Sequence, residues 1–115
     1  MHVFVATTQF TLAWTHSIEK IRWEEDYRIV DGALRLEEAR IRGTGAGMEP
    51  PPGAVLRDGV WHYRPALPAL KELDLARSGY TADYELCLES RPCRPLGEWI
   101  PVSAGTLVAK PCERP

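Results

Sequence analysis

Two Asp-Gly pairs, Asp31-Gly32 and Asp58-Gly59, constrain this 115-residue chain more than any other feature. A two-residue type I′ turn needs positive φ at both central positions, which Gly adopts freely and Asp tolerates, and such a turn closes an antiparallel hairpin. The first pair lies between R-W-E-E-D-Y-R-I-V and A-L-R-L-E-E-A-R-I-R, the second between A-V-L-R and V-W-H-Y. The turn also dictates register. In the first hairpin it sets Val30 opposite Ala33, Ile29 opposite Leu34, Tyr27 opposite Leu36 and Glu25 opposite Glu38. In the second it sets Leu56 opposite Trp61 and Ala54 opposite Tyr63, an aromatic face ready to pack.

The rest of the chain reads the same way. Ten Pro and nine Gly interrupt it, and no segment sustains a 3.6-residue apolar period beyond about two turns. Strands are predicted over 9–17, 23–30, 33–42, 54–57, 60–63, 73–76, 80–88 and 106–110. Short strands between turn signals imply an all-β chain, a small antiparallel β-sandwich or partly open barrel of about eight short strands. Helix is confined to a turn at 69–73 and another at 96–100, and E-P-P-P-G over 49–53 reads as an extended connection, because each Pro restricts its own φ and its predecessor. Residues 1–9 read as an N-terminal extension or the remnant of an apolar segment, and 10–115 as one β domain.

Composition narrows the function. A net charge of −2, with 14 basic residues scattered among 16 acidic ones, offers no electrostatic footprint for nucleic acid or anionic lipid. The opening M-H-V-F-V-A-T-T-Q has an apolar run only over 3–6, shorter than a signal-peptide core of roughly 7 residues and far shorter than a membrane span of about 20. Three cysteines, Cys87, Cys93 and Cys112, allow three single disulfides and leave one thiol over. Cys87 and Cys93 flank a short turn and could close a hairpin there; an exposed pair favours an oxidising compartment.

Chemistry-bearing residues are sparse. F-T-L-A-W-T-H-S-I-E-K places His16 on the inward register of Phe10, Leu12, Trp14 and Ile18, a core histidine at the edge of a polar cluster with Glu19, Lys20, Glu24 and Glu25. Ser17 is adjacent to His16, so a strand points the two to opposite faces and they cannot act as base and nucleophile. Facing Glu25 and Glu38 could share a proton or hold a hard cation, with Arg22, Arg28, Arg40 and Arg42 close enough to neutralise them. G-T-G-A-G, with Gly43, Gly45 and Gly47, follows a strand, but Met48, Glu49 and three prolines succeed it, so the helix a phosphate loop requires cannot start. His2, His16 and His62 lie in separate elements without ligand spacing, so neither a metal nor a cofactor is expected. Cys87 and Cys93 lack the C-x-x-C spacing of a thioredoxin-type site.

These stretches, with R-I-R-G-T-G-A-G-M-E-P-P-P-G-A-V-L-R-D-G-V-W, S-G-Y-T-A-D-Y-E-L-C, C-R-P-L and the terminal P-C, resemble the bacterial family called domain of unknown function 1850 over nearly the whole chain. The resemblance implies no established activity and a genomic neighbourhood beside tripartite ATP-independent periplasmic (TRAP) transporters of the TAXI type. It also implies a periplasmic or cell-envelope location through an apolar N-terminal segment. This chain has only nine residues before Phe10 to supply one, which leaves a cytoplasmic location open. A non-enzymatic accessory domain touching the permease or solute-binding protein is therefore expected. Its contact surface would be the charged rim at Glu19, Lys20 and Glu24 with the loop from Gly43 to Pro52. The alternative is a small-ligand module with His16, Glu25 and Glu38 at the mouth of the sheet.

Overall fold

The computed structural model describes residues 2–15, 20–43, 51–78 and 82–112. Nine strands run in order along the chain: β1 (Gln9–Thr15), β2 (Arg22–Val30), β3 (Ala33–Arg42), β4 (Val55–Arg57), β5 (Val60–Tyr63), β6 (Leu73–Leu75), β7 (Glu85–Cys87), β8 (Arg94–Pro95) and β9 (Leu107–Ala109). Seven of them form one sheet in the order β4-β5-β3-β2-β1-β7-β8, while β6 and β9 form a second, and every pairing is antiparallel. The large sheet does not close on itself; β4 and β8 are its edges.

Both Asp-Gly turns form. Asp31 and Gly32 have φ of 51° and 74°, Asp58 and Gly59 of 51° and 77°, the paired positive values of a type I′ hairpin. Pairings run as expected from Val30↔Ala33 through Tyr27↔Leu36, and Leu56 faces Trp61. Beyond Tyr27 the register shifts: Asp26 pairs with Glu38 and Glu25 with Ala39. Glu37 is the extra residue of a β-bulge, so the expected facing pair of Glu25 and Glu38 does not exist. The two carboxylates lie on opposite faces of the sheet.

One face of the large sheet carries the core. Leu12, Tyr27 and Leu34 are buried there against Leu75 and Leu96, with Leu73, Leu107 and Trp99 packed around them from the second layer. Phe10 stacks on Tyr27 and Trp14 on Trp23, with ring centroids 5.5 Å and 6.2 Å apart. These are cross-strand pairs of the β1–β2 ladder.

Three local expectations are corrected. Residues 69–73 are not helical: Leu70 exchanges backbone hydrogen bonds with Leu34 in an isolated bridge, and β6 follows. Of the predicted strand 80–88, the described residues 82–88 are regular only at Glu85–Cys87, because Asp83 turns its carboxylate to Arg77 and to the backbone N–H groups of Tyr84 and Gly97. The described part of 49–53 makes a turn, with Ala54 N–H donating to Pro51 C=O and Gly53 at φ 82°, a position that suits glycine. The turn at 96–100 is a 3-10 helix over Leu96–Glu98.

Candidate functional site

Strand alternation sends Arg22, Glu24, Asp26 and Arg28 of β2 to the face opposite the core, where they meet Arg35, Glu38, Arg40 and Arg42 of β3. Arg28 and Arg35 share Glu37, while Arg22, Arg40 and Arg42 form an ionic lattice with Glu24, Asp26 and Glu38. Arg40 is its hub: Nη1 and Nη2 donate to the two carboxylate oxygens of Asp26 at 2.6 Å each, and Nε donates to Glu24 at 2.9 Å. The fork-on-fork geometry is the strong form of the arginine–carboxylate pair. Thr11 Oγ1 donates a further bond to Asp26 at 2.6 Å, and His62 Nδ1 lies 2.6 Å from Glu38.

Glu24 is the buried member, 7 % exposed, and takes Arg22, Arg40 and Arg42 together. Burial alone would raise its pKa; the hydrogen bonds from Arg40, Arg22 and Arg42 overcome this and hold it at about 2. Asp26 follows the same logic, with burial opposed by Arg40 and Thr11 and a net lowering. Glu24, expected at a partner-contact surface, is thus enclosed by three arginines and only 7 % exposed.

Glu25 projects to the core face instead. Burial raises its pKa, and the hydroxyl of Tyr27, which donates to it at 2.9 Å, offsets that only in part. Burial and the facing Glu25 raise the pKa of Tyr27 in turn. Among the described residues Glu25 forms no ion pair, and its carboxylate is held by a phenol rather than an arginine.

Of the other sequence-predicted positions, His16, Ser17, Glu19, Gly45, Gly47, Met48 and Glu49 lie outside the described residues. Lys20 is exposed with φ 57°, and Gly43 follows the end of β3 with φ 113°, its N–H donating to Gly59 C=O. Cys87 and Cys93 are joined by a disulfide, and Cys112 is a free, exposed thiol. The Nη2 of Arg22 lies 3.6 Å from Cys93 Sγ, which ties that hairpin to the lattice. Among the described residues, no group of three or more His, Cys, Asp or Glu could hold a metal ion, and no helix is long and apolar enough to cross a membrane.

Sequence reasoning missed His62 as the partner of Glu38 and Asp26 as the partner of Arg40. Both depend on the bulge, and a signal for it was present. The apolar positions of β3 are even at Leu34 and Leu36 but odd at Ala39 and Ile41, so the phase changes across Glu37-Glu38.

The model of a domain of unknown function, DUF1850, matches residues 10–96 of this chain. No curated protein and no solved structure matches it.

Proposed function

The chain belongs to the DUF1850 family, a domain of unknown function, and on that footing we propose that it is a non-enzymatic accessory domain of a TAXI-type TRAP transporter system. It acts in the cell envelope by docking on an acidic surface of the permease or solute-binding protein. One observation carries the choice of surface. On the ionic face three arginines stand prouder than the carboxylates: side-chain exposure is 54 % for Arg28, 48 % for Arg35 and 49 % for Arg42, against 9 % for Glu24, 26 % for Glu38, 32 % for Asp26 and 37 % for Glu37. A chain of net charge −2 thus offers a partner a layer of guanidinium groups fixed by the acids beneath them. Preorganised charge of this kind steers association and confers specificity more than raw affinity. The Cys87–Cys93 disulfide is in keeping with an oxidising compartment.

The test is crosslinked co-purification of the tagged protein from its host's envelope fraction, with captured proteins identified by mass spectrometry. Recovery of a transporter subunit, weakened by salt as a screened charge contact must be, is the expected result. Recovery of the domain alone would overturn the proposal.

A further inference from the structure

Besides the arginine tips, the polar face holds a trough. Glu37, the bulge residue, lines it together with residues from the β5 side and the end of β7, and the volume of this groove is about 460 Å³. That volume is in the range of small-molecule sites. It lies toward the Gln9 end of β1.

The charges lining the groove differ in how firmly they are engaged. Asp26 is held by the bidentate Arg40, and Glu38 by His62, all at 2.6 Å. Arg28 has only long contacts, 3.6 Å to Glu37 and 3.4 Å to the side-chain carbonyl of Gln9. Arg64 is exposed and forms no ion pair among the described residues. On the β7 side the partner of Glu89 is neutral, the Gln9 amide nitrogen at 3.0 Å. Glu37 also lines the groove and is engaged by Arg35 at 3.0 Å, so the groups left to recognise a ligand are two guanidiniums and one carboxylate.

Gln9 indicates the polarity of that ligand. Its carbonyl oxygen faces Arg28 while its NH₂ faces Glu89, so one neutral amide spans the two charges with its dipole matched to both. A molecule carrying a full carboxylate at the first position and an ammonium at the second would make charge-assisted versions of the same bonds. We propose that this groove binds a small zwitterionic amino carboxylate, with its carboxylate on Arg28 and Arg64 and its ammonium on Glu89. A dicarboxylate would meet Glu89 and a diamine would meet the arginines, so neither half-matched class fits.

Titration of the ¹⁵N-labelled protein with glycine, β-alanine, γ-aminobutyrate and ε-aminocaproate, followed by NMR, tests this. Butyrate and butylamine serve as probes carrying one charge each. Saturable shifts at Gln9, Thr11 and Glu89 are expected with at least one amino carboxylate, about tenfold tighter than with either single-charge probe. Arg64→Gln and Glu89→Gln, both at exposed positions, should each weaken that binding about tenfold, while Arg57→Gln on β4 leaves it unchanged. Absence of saturable shifts with all four amino carboxylates, or equal shifts with butyrate or butylamine, would overturn the proposal.

Discussion

Glu24 and Glu25 are adjacent, yet β2 sends one beneath three arginines and the other into the aromatic side of the sheet, and their contributions to stability have opposite signs. For Glu24 the folded pKa of about 2 lies below its ordinary 4.5. Its contribution is present above pH 4.5, is lost as pH falls toward 2, and amounts to roughly 3 kcal/mol. Glu24→Gln should cost about that much at neutral pH in urea unfolding and should flatten the acid limb of the stability curve. For Glu25 the folded pKa is raised, so its contribution is present at low pH and lost as pH rises through that raised value. Glu25→Gln, which can still accept the Tyr27 hydroxyl, should be neutral or stabilising at pH 7, and a loss above about 1 kcal/mol would contradict the burial argument. The neutralising role of Arg22, Arg40 and Arg42 was legible in the sequence. Which carboxylates they would serve was not, because one inserted residue gives Glu38 to Asp26 and leaves Glu25 opposite Ala39.

At the scale of elements, the hairpins were the most legible part of the fold, because Asp-Gly specifies a backbone geometry rather than a preference. Gly32→Ala, at φ 74°, should cost about 1 kcal/mol in chemical denaturation without disturbing the Val30↔Ala33 pairing. The segment around β7 was read too long because alternation at Ala82, Tyr84 and Leu86 resembles a strand, and no periodicity announces that Asp83 will leave the pleat for Arg77, six residues before it. The disulfide closing this hairpin spans six positions, so its loop-closure contribution is about 2 kcal/mol. Reduction should lower the melting temperature, and Cys87→Ser should reproduce the shift; an unchanged melting temperature would mean that the β7–β8 hairpin is held by its other contacts alone.

Across the whole molecule, the two layers are joined by apolar packing and by one ionic clamp. Arg77, with a side chain only 1 % exposed, is paired with Asp83 and also donates to the carbonyls of Ile100 and Pro101. Removing one partner strands the other, so Arg77→Ala should cost roughly 3–5 kcal/mol. Hydrogen exchange should accelerate first at β6, β9 and the 3-10 turn over Leu96–Glu98, and uniform acceleration throughout the sheet would contradict the layered reading. This clamp was invisible in the sequence because its partners lie in segments without periodicity. The central functional claim, that the arginine-tipped face is the docking surface, is tested most directly by site-specific photocrosslinking in the native envelope, with the crosslinker placed at Arg35 or Arg42 and, on the second layer, at exposed Val108. Adducts to a transporter subunit from Arg35 and Arg42 but not from Val108 are predicted. Adducts from Val108 alone would place the contact on the other layer and contradict the account.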